Sequence, residues 1–190
     1  MDCITRNYFR NMDYLTKKWK YWYSYLDVNK DGMISFDDVE ECRKKFAELH
    51  GLKDDKAKSV KVDIEKWWNK YIFRSGAGKE LSEKDFLDIL TADYKKDKAK
   101  FKKSIEECFT EVFKVIDIDK DRTIDLDEFL YAFRAFGHDD DAILTTVFKS
   151  YKASNDKVPM KQLVDSWVQF VCDEDSTKKD VLKEAFEKGM

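Results

Sequence analysis

The sequence predicts an all-α protein: four helix–loop–helix units in two pairs, packed as one compact globule with short β contacts between paired loops. Three observations carry that expectation. Turn formers are scarce, with one Pro and six Gly in 190 residues, whereas sandwiches and barrels need a turn roughly every 8–12 residues. Apolar residues recur at helical spacing. A block of four apolar residues, placed 8, 5, 4 and 1 positions before a polar segment, also recurs four times along the chain.

In the first unit, Trp19, Trp22, Tyr23 and Leu26 share one helical face, and DVNKDGMISFDD follows at 27–38. Val39, Cys42 and Phe46 form the exit stripe. In the second unit, Ile64, Trp67, Trp68 and Tyr71 repeat the block, so a loop is expected from Ile72, with Leu81 in the apolar loop place and Phe86 opening the exit helix. That gives a loop of 14 residues at 72–85, IFRSGAGKELSEKD, with no early carboxylates and with Arg74 and Lys79 intruding. The Lys-rich stretch 95–103 reads as a helical connection between halves.

The third unit has Phe109, Val112, Phe113 and Ile116 before DIDKDRTIDLDE at 117–128, then Phe129, Leu130, Phe133 and Phe136. In the fourth, Leu144, Val147, Phe148 and Tyr151 place an 11-residue loop at 152–162, KASNDKVPMKQ, where Lys152 stands in the first ligand place and Gln162 in the last. Val158 is its apolar residue, and Leu163 opens the exit helix. Ile34 is expected to face Leu81, and Ile124 to face Val158, in short antiparallel contacts. Val181, Leu182, Ala185 and Phe186 predict a short helix that caps the fold. The expected organisation is therefore residues 1–96, with loop 27–38 active and loop 72–85 degenerate, and residues 97–190, with loop 117–128 active and loop 152–162 degenerate, plus the C-terminal helix.

Loops 27–38 and 117–128 carry the chemistry. Calcium takes about six to eight oxygens around one point, and a twelve-residue loop supplies them from positions 1, 3, 5, 7, 9 and 12, the seventh through its backbone carbonyl. In the first loop these are Asp27, Asn29, Asp31, the carbonyl of Met33, Ser35 (directly or through water) and Asp38. Gly32 allows the sharp turn at positive φ. In the third unit they are Asp117, Asp119, Asp121, the carbonyl of Thr123, Asp125 and Glu128. A solvated acidic turn would require neither the Ile at position 8 nor matched helices on both sides. Asp38, shorter than the usual Glu, tends to give one oxygen rather than two, which favours the six-coordination of magnesium. A mixed calcium (Ca2+) and magnesium (Mg2+) site is expected there. Arg122 stands where Gly is expected, and a non-Gly residue at positive φ costs about 1–2 kcal/mol.

Other function classes find little support. No apolar run reaches about 18 residues, so no membrane span is expected, and the first ten residues hold no apolar stretch of a secretory signal. The four Cys are scattered without CxxC spacing, as in a reduced, cytosolic protein. No nucleophile–base pairing, phosphate loop or zinc spacing points to an enzyme. The 36 basic and 39 acidic residues give a net charge of −3, which argues against nucleic acid as a partner. That balance hides a segregation: loop 27–38 carries −3 and loop 117–128 carries −4, so the remaining chain is +4 and two divalent ions would bring the total to +1. A monomer is expected, and no protein partner can be named.

With DVNKDGMISFDD and its terminal Asp, WWNKYIFRSGAGKELSEKDF and its expanded second loop, and DIDKDRTIDLDE, the chain resembles the invertebrate sarcoplasmic calcium-binding proteins of the four-EF-hand superfamily. The resemblance runs over roughly residues 17–187. It implies a closed cytosolic globule that buffers calcium and magnesium. Family members commonly bind at three sites; here both even-numbered loops lack ligands, so the implication extends only to the first and third. The superfamily also holds calcium-triggered signalling proteins and carriers of an aromatic ligand such as a luciferin. A sensor exposes an apolar groove, often Met-rich, whereas the stripes here are Trp, Tyr, Phe and Leu. Photoproteins place His beside Trp and Tyr in a cavity; His50 and His138 lie in no aromatic stripe and are expected past helix ends. Calcium buffering is thus the leading expectation.

Overall fold

The computed structural model describes residues 3–74 and 79–190. Helix α1 (Cys3–Leu26) enters loop 27–38 and α2 (Phe36–Leu49) leaves it; α3 (Asp54–Trp67) and α4 (Glu83–Lys96) flank the second loop. Helices α5 (Lys98–Ile116) and α6 (Leu126–Ala135) flank the third loop, α7 (Asp141–Lys149) and α8 (Met160–Cys172) the fourth, and α9 (Val181–Glu187) closes the chain. The predicted all-α class and its four units are therefore observed.

Three exit helices start by the same device. Ser35, Ser82 and Asp125 each cap a helix whose third residue, Asp38, Asp85 or Glu128, bonds back to the cap's own N–H. This reciprocal bonding satisfies two of the backbone donors that a helix start leaves free. The loops then pair as expected. Strands β1 (Met33–Ile34) and β2 (Leu81–Ser82) run antiparallel with Ile34 opposite Leu81. Strands β3 (Thr123–Ile124) and β4 (Val158–Pro159) place Ile124 opposite Val158.

The second unit departs from expectation. Its entry helix does not stop before Ile72 but widens into a π-helical turn, Trp68–Phe73. The wider turn buries Trp68, Ile72 and Phe73 together, and a π turn of this kind departs from the 3.6-residue period on which the sequence reading rests. Arg74 then takes a left-handed conformation (φ 54°) and pairs with Asp93. Residues 75–78 of the expected loop lie outside the described residues. The Lys-rich connection is helical on both sides of one break at Asp97, which caps α5 by accepting from the Lys100 N–H at 2.9 Å.

One aromatic interior serves the whole fold. All five Trp are buried, none above 4% exposed. Their indoles tie early helices to late ones: Trp19 Nε1 donates to the Val171 carbonyl at 2.9 Å, and Trp67 Nε1 to that of Cys108 at 2.8 Å. Trp22 packs against both Phe86 and Phe109, and Tyr25 against Phe133, Phe136 and Trp167. Helices α2 and α6, α3 and α5, and α1 and α8 pack directly. Contrary to the sequence expectation, both histidines meet rings: His138 stacks on Tyr25 at 4.8 Å, and His50 lies against Phe46 and Tyr131. They follow helix ends, as expected, but the chain there turns inward.

Lys18 is fully buried in α1. Its ammonium reaches the Asp173 carbonyl at 2.7 Å, the Gln169 carbonyl at 3.3 Å, Asp180 at 3.3 Å and the Tyr14 ring at 4.5 Å. A charge this deep is tolerated only with such partners, so Lys18 fastens the C-terminal segment to α1. No helix among the described residues is long and apolar enough to cross a membrane.

Candidate metal centres

In loop 27–38 the backbone wraps around its own carboxylates. Asp27 accepts from the N–H groups of Asp31 (3.1 Å) and Gly32 (3.0 Å), and Asp31 accepts from Met33 (2.8 Å). Asn29 accepts from the Asp31 N–H at 2.9 Å and donates its amide to Asp31 Oδ2 at 3.0 Å. Asp38 is fully buried: its Oδ1 accepts from Val28 (2.8 Å) and Asn29 (3.1 Å), its Oδ2 from Ser35 (2.7 Å). The loop is braced from outside by Tyr23, whose hydroxyl lies 2.8 Å from the Gly32 carbonyl and 2.9 Å from that of Leu81.

Loop 117–128 repeats this pattern. Asp117 accepts from Asp121 and Arg122, each at 3.1 Å; Asp119 from Asp121 at 3.2 Å; Asp121 from the Thr123 N–H at 2.7 Å. Asp125 accepts the Glu128 N–H at 2.9 Å, as the helix cap. Glu128 takes the place of Asp38, with Oε1 accepting from Ile118 (2.9 Å) and Oε2 from Asp125 (3.2 Å). Both loops hold two residues in the left-handed region. They are Lys30 (φ 60°) and Gly32 (φ 88°) in the first, Lys120 (φ 63°) and Arg122 (φ 66°) in the third. Arg122 therefore takes the conformation that its position predicts. The left-handed lysines were not legible, since Lys carries no preference for that region.

The six first-loop residues of the sequence reading line one loop, and the six third-loop residues line the other. Among the described residues, Asp117, Asp119 and Glu128 bring carboxylate oxygens within 4.8 Å of one another. The first loop has an amide, Asn29, at the equivalent of Asp119. Oxygen-only donors of this kind fit a hard divalent cation such as calcium or magnesium. Burial raises the carboxyl pKa of Asp27, Asp38 and Glu128, the response of acids whose negative charge is short of solvent. Asp121 goes the other way, down to about 2, because the Lys157 ammonium bonds to it and Thr123 adds further donors. Lys157 also lies 2.9 Å from Asp119. Reading loop 152–162 for ligands of its own missed this lysine, which belongs chemically to its neighbour.

Among the described residues the even-numbered loops offer no comparable set. In the fourth, Gln162 bonds the Lys152 backbone in both directions, Oε1 accepting from its N–H at 3.2 Å and Nε2 donating to its carbonyl at 3.0 Å. An amide thus closes the loop where loops one and three use a carboxylate. Between the halves the interior cavity is only about 20 Å³, lined by Trp22, Tyr25, Trp67, Phe109, Phe133 and Trp167 among others.

Four helix–loop–helix units, paired through short strands and carrying two oxygen-lined twelve-residue loops, define a protein of the four-EF-hand class. A family model described as an EF-hand domain matches residues 109–137. The sarcoplasmic calcium-binding protein of Mizuhopecten yessoensis is 52% identical over 176 residues, covering 92% of this chain and 99% of that protein. The chain belongs to the sarcoplasmic calcium-binding proteins. Among solved structures, the coelenterazine-binding protein of Renilla muelleri in its calcium-loaded apo form matches with a TM-score of 0.76 at 22% identity, over 93% of this chain and 96% of that one. The sarcoplasmic calcium-binding protein of amphioxus matches at 0.57 and 19% identity, over 91% and 96%. At these identities the two likenesses describe the fold.

Proposed function

We propose that the protein is a cytosolic calcium and magnesium buffer that binds ions at loops 27–38 and 117–128 and stays closed while it does so. The observation that carries this reading is the shared aromatic interior. An open sensor state would have to part α1 from α8, α2 from α6 and α3 from α5, breaking the Trp19 and Trp67 bonds. Among the described residues the one large hydrophobic side chain left exposed is Val62, so no apolar groove awaits a partner. Residues 1–96 and 97–190 are read as two halves that act as one body. A monomer follows from the same scarcity of exposed apolar surface; nucleic acid and enzymatic chemistry form no part of the proposal.

The two sites are proposed to differ in ion preference. A carboxylate has about four lone-pair positions. Asp38 uses three on backbone N–H groups, which leaves one for an ion. Glu128 uses two, one on each oxygen, which leaves both oxygens able to bind. One oxygen at position 12 suits six-coordinate magnesium, and two suit the larger shell of calcium. Calorimetry with each ion, joined to an apolar-dye assay, tests the proposal. Two calcium sites, magnesium competing at one and no dye uptake are expected; calcium-induced dye binding would replace the buffer with a sensor.

The likeness to the coelenterazine-binding protein raises a second reading, a carrier of an aromatic ligand. Trp22, whose Nε1 is buried without a hydrogen-bond partner, is among the residues that line the interior cavity. The cavity's 20 Å³ is room for about one water, which needs about 10–15 Å³ of such space, so an aromatic ligand would have to displace core side chains. Titration with coelenterazine, followed by tryptophan quenching, separates the readings: saturable quenching would favour the carrier.

A further inference from the structure

We propose that Lys157, carried by the degenerate fourth loop, is a tethered counter-cation that lowers the calcium affinity of loop 117–128. The inference rests on reading that loop as a calcium site.

The fourth loop is one residue short of twelve, and the shortening has a structural result. Ser154 and Lys157 bond each other's backbones, the Ser154 N–H donating to the Lys157 carbonyl at 2.8 Å and the Lys157 N–H to that of Ser154 at 3.1 Å. Between them Asn155 and Asp156 both lie at positive φ, 52° and 60°. Two consecutive left-handed residues make the tight hairpin turn whose twist matches its flanking strands. Lys157 leaves this turn directly into β4, which is paired with β3 inside the third loop. A residue that would be a ligand position in a full-length loop thereby becomes a short arm reaching into the neighbouring one.

The atoms it reaches are specific. Its ammonium sits 2.9 Å from Asp119 Oδ2 and also bonds Asp121 Oδ2. The other oxygen of each carboxylate is already engaged, Asp119 Oδ1 by the Asp121 N–H and Asp121 Oδ1 by the Thr123 N–H and hydroxyl. Lys157 therefore holds the two oxygens at positions 3 and 5 that the loop leaves free. A divalent ion drawing on these carboxylates must displace the ammonium or bind beside its charge. Either route weakens binding. Among the described residues no cation pairs with Asp27, Asp31 or Asp38 in the first loop, so the effect is confined to the third. It also offsets part of that loop's larger charge: of the two carboxylates it has beyond those of the first loop, Asp119 and Asp125, the first is met by Lys157. The side chain is one-third exposed, so its replacement opens no core.

The test uses the full chain with the first site disabled by Asp27→Asn and Asp38→Asn, compared with the same background carrying Lys157→Met or Lys157→Arg. Calcium calorimetry on the Met variant is expected to show affinity raised about tenfold, the scale of one unit charge a few ångströms away in a water-facing loop. The Arg variant is expected to match its parent. A second readout is melting temperature: the calcium-free Met variant should melt lower than its parent, because Asp119 and Asp121 lose their counter-charge, while the calcium-loaded form should not. Binding by the Met variant alone would support the proposal in its strong form. Equal or weaker affinity in the Met variant, with the parent binding, would overturn the proposal and leave the site standing. Absence of binding in both would overturn the site and the proposal together.

Discussion

Asp38→Glu is the substitution that most directly probes how the first loop chooses its ion. The wild-type carboxylate is wholly buried and accepts three backbone N–H groups, whereas Glu128 in the equivalent place accepts two. The added methylene has to fit where no exposed space exists, and overpacking of this kind costs about 1–3 kcal/mol. For a chain of this size each kcal/mol moves the melting temperature by about 2–4 °C, so the ion-free variant should melt several degrees lower. With calcium present the outcome reverses. The longer side chain recreates the Glu128 arrangement, one N–H per oxygen, and frees a second oxygen. Calcium affinity at this loop should rise about tenfold, or about 1.4 kcal/mol. Magnesium, which holds to six ligands in near-ideal octahedral geometry, gains nothing. Competition calorimetry in a chain whose third loop is disabled by Glu128→Gln reads the calcium-to-magnesium ratio directly. An unchanged ratio, or one shifted toward magnesium, would refute the lone-pair account of selectivity.

Three further outcomes are expected. Arg122→Gly relieves a left-handed residue at φ 66°, a relief of about 1–2 kcal/mol partly offset by glycine's greater freedom in the unfolded chain; because that conformation is already present without an ion, thermal unfolding of the ion-free variant should show a small net gain, and an unchanged or lower melting temperature would sink the strain argument. Lys18→Met leaves Asp180, 6% exposed, without its buried cation, a loss of about 3–5 kcal/mol in denaturant unfolding, and adding Asp180→Asn should recover part of it; strictly additive losses would show that the two are not coupled. His138 has its pKa pulled down to about 4 by burial, with Lys30 acting in the same direction and Asp139 against it. Its folded-state pKa lies below the unfolded value of about 6.5, so its contribution is complete above that pH and is lost as pH falls toward 4, amounting to about 3 kcal/mol at most. His138→Gln should flatten the stability curve in that window, and an unaltered slope would place the titration elsewhere.

The parts of the fold that follow from periodicity were legible in the residues. The 8, 5, 4, 1 spacing before each loop placed Trp19, Trp22, Phe109 and Phe113 on buried faces, and the residue in each loop's apolar place, Ile34, Leu81, Ile124 or Val158, fixed both strand registers. What escaped depends on contacts between segments far apart in sequence. The π turn at Trp68–Phe73 answers to three side chains seeking the same core and has no period of its own to read. Lys157 does not stand out in the sequence of its own loop, where Lys152 and Gln162 take the ligand places, because nothing local reveals that the shortened turn aims it at Asp119. Lys18 is an intermediate case. It lies three residues after Leu15 and four after Tyr14, on the apolar face by spacing alone, but a lysine there suggests a stem along the surface until the carbonyls of Gln169 and Asp173 come into view.

Helix α6 has a further consequence, through its two ends. Its first turn carries Glu128, which closes the third loop, and just beyond its last turn Gly137 packs on the first loop so tightly that a Cβ there would sit 2.9 Å from the Val28 carbonyl. Val28 is the residue whose N–H is held by Asp38. One rigid rod of about three turns thus spans from the closing carboxylate of one ion loop to the backbone bonded by the closing carboxylate of the other. If Glu128 takes an ion as proposed, a tilt of α6 would reach Val28 without passing through the strand pairs, which gives the two loops a route to fill in concert even though they share no ligand and no strand.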